Sequence, residues 1–204
     1  MMLAVALILA YALGSFPSAY LAGRLVKGVD LRTVGSGNLG ATNVYRQVGA
    51  PAAIVVLALD AAKGWLAVTQ LPVLMSLDGR GWGTMALGAV VVLGHTKSVF
   101  LLGRGGGKGV ATATGVFFSL APLAISVSVL AFTVVAALTR YVSAGSVSGA
   151  IVLPLCVALI YGVAQPVFVT SLTLALLVVW AHRANLRRIA LGQEPRIGRP
   201  GSTG

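Results

Sequence analysis

Hydrophobic positions fall in long runs that short charged clusters separate. A membrane-spanning helix needs about 20 mostly apolar residues to cross about 30 Å of hydrocarbon. Four runs fit this length directly: residues 1–23, 51–75, 83–101 and 166–181. The first run has no charge before Arg24, so a retained helix is favoured over a cleaved signal peptide. Pro51 and Pro166 suit the first turn of a helix, where a missing N–H is tolerated.

The apolar run of residues 109–139 is too long for one upright helix, at about 46 Å, and Pro122 interrupts it. A turn at Pro122 would give two helices and a further span over residues 142–161, and all the large basic clusters would then share one face. An unbroken, kinked helix is the alternative, and it leaves only Arg140 on the opposite face. We therefore predict seven transmembrane helices rather than six. Because Lys and Arg concentrate on the cytoplasmic side, the N-terminus is predicted outside and the C-terminus in the cytoplasm.

Composition supports the membrane interpretation. Of the 204 residues, 57% are hydrophobic and only 9% are charged, with a formal net charge of +11. A soluble domain carries about 25% charged residues, so that class is excluded. Cys156 is the single cysteine, which rules out an internal disulfide. We predict one polytopic domain over residues 1–193 and a short basic tail over residues 194–204 that frays.

The first polar segment, residues 35–46, is rich in glycine and hydrogen-bond donors. Glycines permit positive φ, so successive backbone N–H groups can point into one concavity that suits an anion. The side chains that would add donors to this nest are Ser36, Asn38, Thr42, Asn43 and Arg46. An ordinary polar turn between helices is the alternative.

The second polar segment, residues 94–112, places a glycine-rich stretch before an apolar helix. Free N–H groups and the positive helix end favour phosphate, and Arg104 and Lys108 add full charges. We therefore predict a phosphate site formed by His95, Arg104, Gly105, Gly106, Gly107 and Lys108. Leu102 and Gly109 break the pattern of an ATP-binding Walker A loop. A flexible basic loop on anionic lipid headgroups is the alternative.

Other polar residues lie at the ends of, or within, the apolar runs. His182 and Asn185 are three residues apart, so a helix would place both on one side. Asp60 and Lys63 have the same spacing at membrane depth, where we predict a structural ion pair. Ser143 follows Arg140 and Tyr141, and its hydroxyl either binds phosphate or bonds back to its own helix.

Several catalytic sets are missing from the sequence. Phe100 and Arg187 stand where the His-x-x-x-x-Asp pair of other acyltransferases would need Asp after His95 and His182. Gly-x-Ser-x-Gly and Asp-rich metal motifs are also absent. We therefore expect catalysis without metal or cofactor, by positioning and charge stabilisation on an activated, phosphate-bearing substrate.

The three segments together resemble the bacterial acyl-phosphate:glycerol-3-phosphate acyltransferase (PlsY) family. The resemblance runs end to end, and its carriers are residues 36–43 with Arg46, residues 94–112 ending in Gly-Gly-Lys-Gly-Val-Ala-Thr, and His182-Arg183-Ala184-Asn185 followed by Gly192 and Glu194. Before Gly-Gly-Lys the family usually has an aromatic and then a basic residue, whereas this chain has Gly103, Arg104 and Gly105.

The resemblance implies a multi-pass enzyme of the bacterial cytoplasmic (cell inner) membrane with its active site facing the cytoplasm. It would transfer a fatty acyl group from acyl phosphate to the 1-hydroxyl of glycerol 3-phosphate in phospholipid biosynthesis. The implied roles fall on Ser36, Lys108, His182 and Asn185 as catalytic residues, and on Asn38, Arg46, the glycines before Lys108 and Ser143 as substrate-binding residues. Its partners would be the two substrates and membrane lipid, without nucleic acid or an obligate protein partner.

Two expectations and an alternative function follow. The three polar segments should meet in one pocket at the inner leaflet. Either an oxygen of the substrate phosphate or His182 should accept the proton of the attacking hydroxyl. A transporter or channel for phosphorylated metabolites is the alternative function, although it should place polar residues through the membrane midplane, where chiefly Asp60 and Lys63 occur.

Overall fold

The computed structural model describes residues 1–198, which form helices and connecting loops in two compact units, Met1–Pro122 and a second that begins at Leu123. In chain order the helices are α1 (Met2–Ser15), α2 (Ser18–Lys27), α3 (Ala41–Gln47), α4 (Ala50–Leu74), α5 (Trp82–Thr96), α6 (Val110–Leu120), α7 (Pro122–Thr139), α8 (Val142–Tyr161), α9 (Pro166–Ala181) and α10 (Arg183–Ala190). A short 3₁₀ turn, Val99–Leu101, follows α5.

The first span is broken rather than continuous. We expected one helix over residues 1–23, but α1 ends at Ser15 and α2 continues from Ser18 to Lys27. Pro17 explains the break, because proline has no N–H to donate and its ring clashes with the preceding turn of a helix. The two parts together, Met2–Lys27, are still long and apolar enough to cross a membrane.

The predicted break in the run of residues 109–139 is confirmed, since α6 ends at Leu120 and α7 begins at Pro122. However, α6 has 11 residues and is about 16 Å long, too short to cross a bilayer alone. Within residues 1–198, five helical segments meet the length and hydropathy of a span, and α9 with α10, bent by 50° between them, makes a sixth. The structure therefore supports an all-helical, multi-pass membrane protein, and the count of seven stays a prediction.

Glycines let the helices of the first unit approach closely. A β-carbon on Gly64 of α4 would lie 2.0 Å from the carbonyl oxygen of Thr112 in α6, and one on Gly115 would lie 1.8 Å from that of Ala61. Gly14 similarly lies against the backbone of Val91 in α5. Membrane helices commonly pack through such close backbone contacts. Because lipid is as apolar as the side chains, van der Waals packing rather than the hydrophobic effect holds the helices together. It fixes α6, and hence the loop that precedes it, against α4.

The second unit packs α7, α8 and α9 around small residues, and the chain after α10 returns to it. Ser128 of α7 donates to the carbonyl of Gly149 in α8 over 2.7 Å. The expected fraying of the tail is wrong as far as Gly198, because Arg196 donates to the Tyr141 hydroxyl and Ile197 donates its N–H to the Arg140 carbonyl over 2.8 Å. Residues 199–204 of the predicted tail lie outside the described residues.

Candidate active site

The first polar segment forms a loop that one buried side chain holds in shape. Gly35 and Gly37 have φ of +61° and +69°, which are values that favour glycine. Asn43 at the start of α3 is 1% exposed. Its amide donates to the carbonyls of Leu31 and Val34, and its oxygen accepts the N–H of Ser36 over 3.2 Å. These contacts give Asn43 a structural role in shaping the loop, and its predicted contact with phosphate stays a prediction.

The glycine-rich part of the second segment packs directly on the first. Leu39 donates its N–H to the carbonyl of Gly106 over 3.2 Å, and Gly107 donates to the carbonyl of His95. A β-carbon on Gly106 would lie 2.2 Å from the Thr96 carbonyl oxygen, and one on Gly107 would lie 2.0 Å from Nε2 of His95. Only glycine fits at these two positions. The structure therefore brings the first two segments together within one unit.

Arg32 ties these two loops at their outer edge, a role that the sequence did not reveal. Its guanidinium pairs with Asp30 over 2.6 Å and reaches the carbonyl of Arg104 at 3.4 Å. Its aliphatic stem lies against Gly105. The hydrogen bond from Arg32 lowers the pKa of Asp30 to about 2, so the Asp30 carboxylate is ionised at neutral pH.

A small cavity lies beneath the paired loops. Its lining includes Phe16, Ser18, Lys63, His95, Gly106 and Gly107. The break between α1 and α2 forms one wall, and Ser98 fastens the second segment to that wall by donating to the carbonyl of Ser15 over 2.5 Å. The cavity therefore joins the glycine-rich loop to the break in the first span.

The predicted ion pair inside α4 is present. Lys63 lies 2.7 Å from Asp60, and both side chains are at most 5% exposed. Lys63 also donates to the carbonyl of Phe16, and Ser18 donates to Asp60 over 2.5 Å. His95 was predicted from its segment alone, yet its Nδ1 lies 3.6 Å from the Asp60 carboxylate. Sequence spacing indicated the pair but could not show that it lies beside the glycine-rich loop.

The third segment lies in the second unit, where Glu194 organises it. Glu194 accepts hydrogen bonds from Asn185 over 2.6 Å and from Ser143 over 2.8 Å, and it pairs with Arg188. Burial raises the pKa of Glu194, but these hydrogen bonds and the nearby guanidinium outweigh it and hold the pKa below its usual value. The observed partner of Ser143 is therefore this carboxylate, to which the sequence analysis gave no role in the site.

His182 is 3% exposed, and its Nδ1 lies 2.8 Å from the Val178 carbonyl oxygen. A carbonyl oxygen can only accept, so the geometry favours the hydrogen on Nδ1 and leaves Nε2 as the basic nitrogen.

The other predicted residues lie on the two loops and on α3. Ser36, Arg46 and Arg104 are exposed, and Asn38, Thr42, Gly105 and Lys108 are partly buried. Lys108 precedes Gly109 at the N-terminal end of α6, where the helix dipole favours an anion. Thr112, in the first turn of α6, carries a fully buried hydroxyl without a hydrogen-bond partner among residues 1–198, and the sequence analysis did not select it.

Comparison with known proteins assigns the chain to a family. The family model described as glycerol-3-phosphate acyltransferase matches residues 4–192. The chain belongs to this family. The glycerol-3-phosphate acyltransferase of Prochlorococcus marinus (strain NATL1A) is 42% identical over 93% of this chain and 96% of its own. That of Thermoanaerobacter sp. (strain X514) is 40% identical over 94% of this chain and 93% of its own.

Solved structures of the family share its fold. The crystal structure of PlsY (YgiH), an integral membrane glycerol 3-phosphate acyltransferase, in its glycerol 3-phosphate form is 37% identical and superimposes with a TM-score of 0.88 over 97% of this chain and 96% of that one. Its lysophosphatidic acid form gives a TM-score of 0.84 at 36% identity over the same shares. The all-helical fold described above is therefore that of an integral membrane member of the family.

Proposed function

We propose that this family member transfers a fatty acyl group from acyl phosphate to the 1-hydroxyl of glycerol 3-phosphate in phospholipid synthesis, giving lysophosphatidate and inorganic phosphate. The observation that carries the proposal is the backbone of Gly106 and Gly107, packed on the first polar loop immediately before Lys108 and α6. Such an arrangement suits a phosphate group. Family membership supports glycerol 3-phosphate as the acceptor.

In the proposed reaction, the 1-hydroxyl oxygen bonds to the acyl carbonyl carbon, and the bond from that carbon to the phosphate oxygen breaks. The departing phosphate gains negative charge, which Lys108 and the glycine-rich loop stabilise. Ser36, Asn38, Arg46, His182 and Asn185 orient glycerol 3-phosphate. Thr42, Asn43, Arg104, Gly105 and Ser143 complete the set of substrate-binding residues, and His95 contributes through the glycine-rich loop that it contacts. This chemistry requires no metal or cofactor.

The hydroxyl proton goes to an oxygen of the substrate phosphate, and His182 is the competing base. In a neutral His182 with its hydrogen on Nδ1, facing the Val178 carbonyl, Nε2 is the atom that would accept the proton. In a His182→Gln variant, near-normal turnover would exclude the histidine as the base. Loss of turnover that added imidazole restores would count against the substrate phosphate.

Purified protein in detergent, supplied with palmitoyl phosphate and glycerol 3-phosphate, tests the activity. We expect phosphate release matched by lysophosphatidate, unchanged by EDTA. A parallel reaction with palmitoyl-CoA tests the donor, since efficient transfer from the thioester would overturn acyl phosphate as its identity. A transporter for phosphorylated metabolites would instead give uptake into liposomes without product, and a lipid-binding scaffold would give neither.

We further propose seven transmembrane helices in the bacterial inner membrane, with the N-terminus outside and the active site facing the cytoplasm. Single cysteines at Asn38, Lys108 and Asn185 in a Cys156→Ser background test this arrangement. An impermeant maleimide should spare all three in intact cells and modify a cysteine at Gly79 on the opposite face. Labelling of the three from different sides would refute both the topology and the shared site.

The domain division also remains a proposal, with a membrane domain over residues 1–193 and a tail over residues 194–204. Because the Glu194 side chain is buried against α8 and α10, deletion from residue 194 onward should lower stability.

A further inference from the structure

The ion pair of Asp60 and Lys63 is buried in the interior of α4. Asp60 is ten residues beyond the first residue of α4, or about 15 Å along its axis, and the helix continues to Leu74. Removing charge from water is expensive, and a well-packed apolar pair at such a site is often as stable as an ion pair. A gain in folding stability is therefore a weak explanation for the burial of an aspartate and a lysine at this depth.

Both side chains of the pair contact the break between α1 and α2, which borders the cavity. Lys63 donates to the Phe16 carbonyl over 2.6 Å, and that carbonyl belongs to the break between α1 and α2. Asp60 accepts the Ser18 hydroxyl at the first residue of α2. The pair therefore forms hydrogen bonds with the polar groups that the break between α1 and α2 leaves facing the inside of the unit.

On its other side the pair reaches the glycine-rich loop through His95. Nδ1 of His95 is 3.6 Å from the Asp60 carboxylate, and Nε2 lies against Gly107 so closely that a β-carbon there would be 2.0 Å away. The carbonyl of His95 also accepts the N–H of Gly107. The imidazole therefore fills the space between a fixed carboxylate and the backbone of the loop.

We propose that Asp60, Lys63 and His95 are positioning residues that set the backbone of Gly106 and Gly107 for binding a phosphate group. The inference rests on the proposed function, in which that phosphate belongs to the acyl donor. The pair anchors the imidazole from below, and the imidazole supports the loop. Displacing His95 lets the loop sink toward the cavity, so its N–H groups no longer converge on the phosphate.

A variant that removes both charges separates positioning from stability. In Asp60→Asn with Lys63→Met, neither partner leaves a lone buried ion, so we expect a melting temperature in detergent close to that of the wild type. We nevertheless expect KM for palmitoyl phosphate to rise at least fivefold, with kcat within about twofold. Thr84→Val is the control: Thr84 is fully buried in α5 and bonds the Asp78 carbonyl at the end distant from His95. Thr84→Val should lower the melting temperature and leave KM for palmitoyl phosphate and for glycerol 3-phosphate unchanged.

His95 variants provide a test that does not depend on α4. His95→Ala should raise the same KM, and His95→Gln, which restores a polar group beside Gly107, should recover most of it. Wild-type KM for both substrates in the double variant and in His95→Ala would overturn the inference. A rise in KM for glycerol 3-phosphate alone would support positioning and overturn the assignment of the loop to the acyl donor.

The positioning role can also be tested separately from the proposed acyl transfer. If the wild type does not turn over acyl phosphate, the proposed function fails. Titration with inorganic phosphate and with glycerol 3-phosphate by calorimetry then tests the loop directly. Weaker binding of either ligand in the double variant than in Thr84→Val supports positioning, and equal binding of both overturns it.

Discussion

The contact between α4 and α6 gives a quantitative prediction for Gly64→Ala. The added β-carbon would lie 2.0 Å from the Thr112 carbonyl oxygen and 2.9 Å from the Val116 nitrogen. An ordinary carbon–oxygen contact is about 3.4 Å, so the helices must separate by roughly 1.4 Å at this point. Both obstacles are backbone atoms, and no side-chain rotation can relieve the clash.

The expected cost follows from two opposing terms. Overpacking of this kind costs about 3 kcal/mol, at the upper end of the usual range, because a whole helix must move. Alanine favours the helix over glycine by about 1 kcal/mol. The net loss is about 2 kcal/mol, or roughly 30-fold in the unfolding equilibrium. Because α6 begins immediately after Lys108 and Gly109, activity should fall as well.

Thermal unfolding followed by tryptophan fluorescence in detergent measures this effect, with phosphate release measured in parallel. Gly83→Ala in α5 is the matched control, since the nearest atom to its β-carbon would be a Leu3 methyl at 3.4 Å. The control should melt at or slightly above the wild-type temperature. If Gly64→Ala also melts there and keeps its kcat/KM, close approach of α4 and α6 is not required and the reasoning fails.

Three further predictions concern the two loops and the tail. Gly106→Ala, whose β-carbon would meet the Thr96 carbonyl at 2.2 Å, should lower kcat/KM at least 100-fold, whereas Gly79→Ala, with open space around it, should not; equal activities would contradict the packed loop. Lys108→Met should lower phosphate release at least 100-fold and Lys108→Arg much less, because a cation at the helix N-terminus stabilises the leaving group; equal losses would argue against a charge effect. The lowered pKa of Glu194 means that its ionised form stabilises the fold above its usual value of 4.5, and that this contribution disappears as pH falls through the folded-state pKa. The melting temperature of Glu194→Gln should therefore lie below that of the wild type at pH 7 and converge with it as the pH falls through the folded-state pKa of Glu194, and a constant difference would refute the linkage.

The positions of most helices were predictable because a bilayer imposes a simple length and hydropathy requirement. Charged clusters and prolines fixed where the runs end, and the break at Pro122 agrees with the structure. The same reasoning missed the break at Pro17, since the run on both sides is apolar and its length suits one span. A hydropathy pattern shows which segments are apolar enough to lie in lipid. It carries little information on where a helix bends or breaks.

The glycine-rich loop was selected as a candidate phosphate site from its residue types, because free N–H groups at a helix N-terminus favour an anion. The residues that support this loop could not be identified from the sequence. The contacts of Asp60 with His95, of Asn43 with the carbonyl of Leu31, and of Glu194 with Asn185 join groups whose polarity the sequence shows but whose partners it does not.

The sequence alone therefore determined the membrane class and the family, and it selected the segments proposed to carry the chemistry, since each depends on local composition and spacing. Only the tertiary structure decided which buried polar groups satisfy one another. A buried donor or acceptor must find a partner somewhere, but its identity depends on how distant helices pack. In this protein that packing brings the middle of α4 and the end of α5 beside the glycine-rich loop.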